Sequence, residues 1–214
     1  MKYELIIFDM DGTILDTLED LTDSMNYALQ EAGQPVRTID EIRTFVGNGL
    51  RNLVHRAVAE GTSLEEEERI FKIHGAYYRE HSNVKTKPYD GIIDLLKQLK
   101  VQGYKLAVVS NKADAAVKPL CDMYFKDLFD VALGEREGVN KKPAPDAVYE
   151  VLKELGIEKE KSLYIGDSEV DVATARNAEV DLIAVSWGFR PRTLLEELQV
   201  EKIADSVEEL MGML

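Results

Sequence analysis

Cysteine, histidine, tryptophan and long apolar runs are all scarce in this chain of 214 residues. Cys121 is the only cysteine, which excludes an intrachain disulfide and any metal site built from several cysteines. No apolar run approaches the length of about 20 residues that a membrane-spanning helix needs. The start of the chain shows no basic segment followed by an apolar stretch and a cleavage site. We therefore expect a cytoplasmic protein that is neither secreted nor membrane-bound.

Positive charge is also in short supply. The chain has 26 lysines and arginines against 40 aspartates and glutamates, a formal net charge of −14 at pH 7. Binding to nucleic-acid phosphates needs clustered lysines and arginines, so this balance argues against a nucleic-acid partner. The composition does not distinguish a monomer from a homodimer.

The first informative stretch is an apolar run, 5–8, that ends in Asp9-Met10-Asp11-Gly12-Thr13. A run this short predicts a buried strand of a parallel sheet. Alternate side chains of a strand share a face, so Asp9 and Asp11 should project into one small volume. Two such carboxylates repel unless a cation lies between them or one of them holds a proton. The pattern therefore predicts a divalent metal, preferably Mg²⁺, or a proton-transfer role; the alternative is an acidic turn.

Helical periodicity alone fills residues 16–85, with helices predicted over 16–32, 39–45, 50–60 and 64–78. Beyond this insert, short apolar strands alternate with helices, and we predict the strands at 105–110, 131–133, 162–165, 182–185 and 202–204. Such alternation is typical of a parallel sheet with helices on both faces. We therefore predict an α/β fold whose core, 1–15 and 86–214, is interrupted by a helical domain, 16–85.

Polar residues follow three of the predicted strands and occupy one nearby loop: Asp9 and Asp11, Ser110 and Asn111, Asp167 and Asp171, and Lys142. Ligands of an open parallel sheet bind beyond the carboxyl ends of its strands, so these side chains should form one site. Taken singly, each has an ordinary role, such as a helix cap for Ser110 or a solvated surface position for Lys142. Their joint placement is what predicts a ligand.

Each of these residues has a task if the ligand carries a phosphate. The Ser110 hydroxyl and the Asn111 amide can bind phosphate oxygens where we expect a strand to turn into a helix. Lys142 supplies a point positive charge. Mg²⁺ prefers carboxylate oxygens and retained waters, so Asp9 and Asp167 suit it.

The same residues predict a route for phosphoryl transfer. A carboxylate that attacks a phosphate brings two anions together, so a metal and a lysine must offset the repulsion. We assign Asp9 as the nucleophile, forming an aspartyl-phosphate. Asp11 is the general acid for the leaving alkoxide and then the general base for the attacking water. Asp171, one helical turn after Asp167, is placed to hold a water of the metal.

These residues resemble the haloacid dehalogenase-like hydrolase superfamily over essentially the whole chain. Four motifs in order carry the resemblance: Asp9-Met10-Asp11-Gly12-Thr13, Ser110-Asn111-Lys112, Lys142-Pro143-x-Pro145-Asp146 and Gly166-Asp167-x-x-x-Asp171. The resemblance implies a Rossmann-like core with the insert as a cap domain. It also implies Mg²⁺ bound by the side chains of Asp9 and Asp167 and by the backbone carbonyl of Asp11. An aspartate at position 11 implies a phosphatase or phosphomutase rather than a dehalogenase or transport ATPase.

The insert is similar to that of the phosphoglycolate phosphatase group at Phe45-Val46-Gly47-Asn48-Gly49-Leu50-Arg51-x-Leu53-Val54. Glycines at a helix entry let backbone N–H groups approach an anionic ligand, and an arginine adds charge. We therefore expect substrate contacts from Gly47, Asn48, Gly49 and Arg51. The alternative is a tight turn between helices with a surface arginine.

The leading hypothesis is a Mg²⁺-dependent phosphatase of a small phosphorylated metabolite, with 2-phosphoglycolate as the best candidate. A β-phosphoglucomutase-type phosphomutase, or a phosphatase acting on inorganic pyrophosphate or nucleotides, would use the same core residues. Outside the enzymes, the alternatives are a phospho-accepting receiver, which is shorter and lacks the insert, and a pseudoenzyme that only binds phosphometabolites. Trp187-Gly188-Phe189-Arg190 lies at the same edge as the site. Packing is the simpler interpretation of this segment, and the alternative is that it helps to shape the wall of the site.

Overall fold

The structure is a computed structural model that describes residues 2–214, and these divide into two compact units. The sheet unit joins the chain up to Leu15 with Pro88–Leu214, and the helical unit is Asp16–Lys87. Within residues 2–214, no helix combines the length and the apolar character needed to cross a membrane.

Six parallel strands form the sheet: β1 (Leu5–Phe8), β4 (Lys105–Ala113), β5 (Val131–Glu135), β6 (Ser162–Gly166), β7 (Asp181–Val185) and β8 (Ile203–Ala204). Their order is β5-β4-β1-β6-β7-β8, so the first strand of the chain lies in the interior of the sheet. Two further strands, β2 (Leu15–Asp16) and β3 (Lys87–Pro88), pair with each other. Neither of these two strands was predicted.

Helices cover both faces of the sheet: α5 (Ile92–Val101), α6 (Asp114–Tyr124), α7 (Asp146–Leu155), α8 (Glu169–Ala178), α9 (Arg192–Glu197) and α10 (Val207–Met213). Alternate residues of β1 enter different cores. Ile6 and Phe8 pack among residues of α5 and α6, whereas Leu5 and Ile7 pack among residues of α7 and α8. Burial on both faces explains why the strand is continuously apolar. The predicted α/β, Rossmann-like fold is confirmed.

The helical unit contains α1 (Leu18–Glu31), α2 (Ile39–Phe45), α3 (Leu50–Ala57) and α4 (Leu64–His81). Thr38 and Glu41 form a capping box that starts α2. The prediction that the third helix runs to residue 60 was wrong, since Val58 is already extended, with ψ of 161°. The carboxylate of Asp20 accepts hydrogen bonds from the backbone N–H groups of Lys85 and Thr86, which ties the end of the unit to α1.

The end of β4 differs from the prediction. The strand was expected to stop at Ser110 and turn into a helix, but it continues to Ala113, and α6 begins at Asp114. The pairing of β4 with β5 shifts between Val109 and Ala113, so the chain stays extended through an irregular stretch. Within it, the Ser110 hydroxyl accepts a hydrogen bond from the backbone N–H of Lys112 at 3.2 Å. Ser110 therefore lies on an irregular strand end and caps no helix.

Candidate active site

The chain turns sharply just after β1. The Met10 carbonyl accepts backbone hydrogen bonds from the N–H groups of residues 13, 14 and 15 at 3.0–3.3 Å. Gly12 has a φ of +88°, which favours glycine, and a Cβ there would lie 2.5 Å from Oδ2 of Asp167. The glycine of the first motif thus lets the turn approach the end of β6 closely.

Three aspartates form what we call the acidic triad: Asp9 directly after β1, Asp167 directly after β6, and Asp171 in the first turn of α8. Each offers a carboxylate oxygen, and these oxygens all lie within 4.8 Å of one another. All three side chains are buried. Burial, followed by the charge of Asp171, raises the pKa of Asp9 to about 7 and that of Asp167 well above its ordinary value. The triad is therefore a buried excess of negative charge that favours a bound cation.

Lys142 places its ammonium against the triad. Its Nζ lies 2.7 Å from Oδ1 of Asp9, 2.7 Å from Oδ1 of Asp171 and 3.1 Å from the hydroxyl of Tyr164. An ammonium carries three N–H donors, so each donor has an acceptor. Burial alone would lower the pKa of Lys142, but the charges of Asp171 and Asp9 raise it well above the ordinary lysine value. The lysine is therefore a fixed positive charge in the site.

Asn111 holds the backbone of Lys142. Its Oδ1 accepts from the Lys142 N–H at 2.8 Å, and its Nδ2 donates to the Lys142 carbonyl at 3.0 Å. We expected this amide to bind phosphate, but in the structure both of its ends contact the lysine backbone. Asn111 therefore positions the loop that carries the Lys142 ammonium.

Asp171 is anchored through both of its carboxylate oxygens. Oδ2 accepts from the backbone N–H of Ser168 at 3.1 Å and from its hydroxyl at 2.6 Å, in a capping box at the start of α8. Oδ1 accepts from Lys142 and, at 3.2 Å, from the Tyr164 hydroxyl. A metal-bound water that donates to Asp171 would have to share the two carboxylate oxygens with these four donors.

Asp167 is oriented by the segment 187–190, for which packing is the simpler interpretation from sequence. The backbone N–H of Phe189 donates to its Oδ2 at 2.7 Å, and the Thr13 hydroxyl donates to its Oδ1 at 3.3 Å. A Cβ at Gly188 would clash with the Asp167 side chain and with the Gly12 carbonyl. The packing interpretation therefore missed a hydrogen bond to a candidate metal ligand. The only signal for it was a glycine close to a strand end.

The Asp11 carboxylate does not join the acidic triad. Its oxygens lie 2.9 and 3.2 Å from Nζ of Lys112, a lysine for which the sequence predicts no role. The Lys112 side chain is 2% exposed and that of Asp11 is 16% exposed. The aspartate two residues after Asp9 thus belongs to a separate ion pair beside the triad.

The candidate residues of the helical unit form a turn that leads into α3. Gly47 and Gly49 have φ values of +118° and +82°, and Gly49 precedes the first residue of the helix. The Asn48 carbonyl accepts from the Asn52 amide at 2.8 Å. Arg51 contacts Glu68 at 2.6 Å, and its guanidinium lies 4.2 Å from the centre of the Phe71 ring. A role of these residues in substrate binding stays a prediction.

Known proteins are similar to this chain over nearly its whole length. The family model of haloacid dehalogenase-like hydrolases matches residues 6–185. Phosphoglycolate phosphatase 1 of Pseudomonas aeruginosa is 34% identical over 213 residues, which is 97% of this chain and 78% of the relative. A phosphoglycolate phosphatase of Nitrosococcus oceani is 32% identical over 216 residues, 99% of this chain and 96% of the relative. A candidate phosphoglycolate phosphatase from Lactobacillus delbrueckii subsp. bulgaricus has a crystal structure with a TM-score of 0.95 and 41% identity, covering 100% of this chain and 98% of the other.

Proposed function

The chain belongs to the haloacid dehalogenase-like hydrolase family, and we propose that it is a Mg²⁺-dependent phosphatase of a small phosphate monoester, with 2-phosphoglycolate as the best candidate. The observation that carries the proposal is the convergence of the acidic triad and Lys142 at the carboxyl ends of parallel strands. Relatives that align over nearly the whole chain are named phosphoglycolate phosphatases, which supports the choice of substrate.

The donor set of the site fits Mg²⁺. Three buried carboxylates face one ammonium, and Mg²⁺ prefers oxygen ligands, usually one or two carboxylates with retained waters. Asp9 and Asp167 would hold the ion through their side chains, and Asp11 through its backbone carbonyl. When bound, the ion supplies positive charge that offsets the repulsion between carboxylate and phosphate. Asp171 would then accept hydrogen bonds from Lys142 and from a metal-bound water.

The residues of the chain divide the proposed reaction between them. Asp9 attacks phosphorus, the bond to the leaving oxygen breaks, and an aspartyl-phosphate forms. Asp11 takes up a proton from solvent before the transfer, gives that proton to the leaving alkoxide, and later takes one from the water that attacks the aspartyl-phosphate. That second attack releases inorganic phosphate and restores the Asp9 carboxylate. Lys142 and the Ser110 hydroxyl stabilise the negative charge of the transferred group.

We assign the helical unit, Asp16–Lys87, as the cap domain of this enzyme. Within it, Gly47, Asn48, Gly49 and Arg51 are the proposed substrate contacts. The ion pair of Arg51 with Glu68 is exposed, so exchanging Glu68 for an anionic substrate group costs little.

The experiment that tests this function is a substrate panel with purified protein and Mg²⁺. The panel compares 2-phosphoglycolate, β-glucose 1-phosphate, inorganic pyrophosphate and a nucleoside monophosphate by kcat/KM for phosphate release. We expect 2-phosphoglycolate to be the best substrate. Conversion of the sugar phosphate to its isomer without phosphate release would instead identify a phosphomutase.

The matched control for the panel is Asp9→Asn. The amide has nearly the same volume as the carboxylate but is a poor nucleophile, so phosphate release should fall to background while circular dichroism stays unchanged. Near-normal turnover in this variant would exclude the assigned nucleophile.

A further inference from the structure

Trp187 is the only tryptophan of the chain, and it follows β7 at the edge of the sheet that carries the triad. Its indole N–H donates to the Thr13 carbonyl at 3.1 Å. Thr13 follows β1, and β6 lies between β1 and β7. The hydrogen bond therefore joins the segments on either side of the end of β6, where Asp167 lies, although the proposed reaction gives Trp187 no task.

The contact continues from Thr13 to the triad. The buried Thr13 hydroxyl donates to Oδ1 of Asp167 at 3.3 Å, and the Phe189 N–H donates to Oδ2 at 2.7 Å. Trp187 is connected to both donors, to Thr13 through its indole and to Phe189 through the chain. Both oxygens of a candidate metal ligand are thus held by groups that Trp187 ties together.

The other end of the segment 187–190 is attached as well. The Arg190 guanidinium contacts both oxygens of Glu169, at 2.7 and 3.0 Å, and Glu169 is the first residue of α8. The segment is therefore fixed at one end to the turn after β1 and at the other end to the helix after β6. These are the parts of the chain that supply the triad.

Such a bridge can set the spacing between Asp9 and Asp167. The pairing of β1 with β6 fixes the two backbones up to Phe8 and Ile165, but not the side chains that follow. Without a cation the two carboxylates repel each other, so they need other groups to keep them close. Loss of a group that orients a metal ligand typically lowers metal affinity by about 10- to 100-fold.

We propose that Trp187 is a positioning residue for Mg²⁺, because its hydrogen bond to Thr13 keeps Asp167 at the spacing from Asp9 that the ion needs. Trp187 acts through Thr13, so the role requires no contact of the indole with the ion or with the substrate. This role rests on the proposed function and deepens it. It assigns Trp187 to metal affinity and not to the chemical step.

The first test is calorimetric Mg²⁺ binding without substrate. Trp187→Phe keeps an aromatic ring but loses the N–H, and we expect the Kd for Mg²⁺ to rise by about 3- to 10-fold, less than for a direct partner of a ligand. At saturating Mg²⁺, kcat for 2-phosphoglycolate should stay within about 3-fold of the parent value. A lower kcat with an unchanged Kd would overturn the proposal.

Tyr104→Phe is the matched control. The variant also removes a hydrogen bond from a buried aromatic side chain to a carbonyl, since the Tyr104 hydroxyl donates to the Leu214 carbonyl at 3.3 Å. Tyr104 directly precedes β4, at the opposite end of the strand from the candidate site. Its Kd for Mg²⁺ should equal that of the parent, and a rise like that in Trp187→Phe would overturn the proposal.

A double variant separates the route through Thr13 from packing of the partly buried Trp187 ring against the core. Thr13→Val lacks the hydroxyl that connects Trp187 to Asp167, so it should weaken Mg²⁺ binding by itself. Adding Trp187→Phe should then change the Kd little further, because coupled residues are not additive. Additive losses, or a lower melting temperature with an unchanged Kd in Trp187→Phe, would overturn the proposal.

The unmodified protein offers a measurement that does not depend on the folding of a variant. Fluorescence of the single tryptophan reports on the surroundings of its own indole. A Mg²⁺ titration should change the emission of Trp187 with the same midpoint as the calorimetric curve. Constant emission while Mg²⁺ binds would overturn the proposal.

The binding data separate this role of Trp187 from the function on which it rests. Mg²⁺ binding that is equal in the parent and in Trp187→Phe would overturn the positioning role and leave a Mg²⁺-dependent phosphatase. Absence of Mg²⁺ binding to the parent, with hydrolysis that survives a chelator, would instead overturn the metal dependence of the proposed function.

Discussion

The hydroxyl of Tyr164 lies 3.1 Å from the Lys142 ammonium, in a side chain that is fully buried in β6. The same oxygen lies 3.2 Å from Oδ1 of Asp171 and 3.2 Å from the Val109 carbonyl. A hydroxyl has one proton to donate and can accept from the ammonium at the same time. Tyr164 therefore connects Lys142 to β4 and to the first turn of α8, which fixes the lysine without adding charge.

Replacing Tyr164 by phenylalanine tests this link. The variant removes one acceptor from a buried ammonium, so the melting temperature should fall, in line with a cost of about 1–3 kcal/mol. Because Lys142 is then less well placed, kcat for 2-phosphoglycolate should also fall by about 10-fold. Calorimetry and steady-state kinetics measure the two effects.

The control for this prediction is Tyr149→Phe. Tyr149 is 46% exposed, and its hydroxyl donates to the Asn177 carbonyl at 3.3 Å on the surface. Its removal should leave kcat unchanged. Equal behaviour of the two variants would mean that the Tyr164 hydroxyl does not position the lysine.

Gly188→Ala should damage both stability and activity. The added Cβ would clash with the Gly12 carbonyl and the Asp167 side chain, and overpacking of this kind costs about 1–3 kcal/mol. Relief of the clash displaces Asp167 from the Phe189 N–H, so a higher Mg²⁺ concentration should be needed for half-maximal activity. Denaturant unfolding and Mg²⁺ titration of the activity measure these effects.

Gly212→Ala is the matched control for Gly188. A Cβ at Gly212 meets no atom within 4 Å, and the residue lies in α10. Alanine has the higher helix propensity, so this variant should be as stable as the parent or slightly more stable. Similar losses in both variants would show that the contact with Asp167 is not the cause.

Removal of divalent cations should stop hydrolysis. Without a cation, the acidic triad presents an excess of negative charge to an anionic substrate, and Lys142 alone does not compensate for it. Dialysis against a chelator should reduce phosphate release to background, and added Mg²⁺ should restore it. Full activity in the chelated protein would contradict the metal assignment. A direct readout is calorimetric Mg²⁺ binding, which should weaken in Asp167→Asn.

Asp130 should make the stability of the sheet unit depend on pH. Burial would raise its pKa, but hydrogen bonds from Lys100, the Leu106 N–H and Lys105 outweigh burial and hold the pKa below its ordinary value of 3.8. A carboxylate with a lowered folded-state pKa stabilises the protein above the unfolded-state pKa. That contribution is lost as pH falls through the folded-state value.

Asp130→Asn should therefore destabilise the protein by about 1–2 kcal/mol at pH 7. The difference from the parent should shrink as the pH falls below the unfolded-state value of about 4. Urea unfolding at pH 7, 5 and 3 measures this trend, and the exposed Asp122→Asn serves as the control. A difference that is the same at all three pH values would rule out the charge of Asp130 as its origin.

Much of the fold and part of the candidate site could be predicted from local pattern. The run 5–8 is apolar at every position because helices cover both faces of β1, and this is readable without a structure. The meeting of Asp9 with Asp167 follows from the rule that ligands bind at the carboxyl ends of parallel strands. The irregular end of β4 was not predictable, because it depends on a shift in pairing with β5.

By itself, the sequence determined the alternation of strands and helices, the identity of the acidic residues and their order at the strand ends, since these follow from side-chain periodicity and chemistry. Only the tertiary structure decided which groups pair. Lys112 donates to Asp11, the Phe189 N–H donates to Asp167, and the Lys142 N–H donates to Asn111. The physical reason is distance along the chain. Hydrogen bonds between groups far apart in sequence leave no periodic signal, and their geometry exists only once the strands have paired.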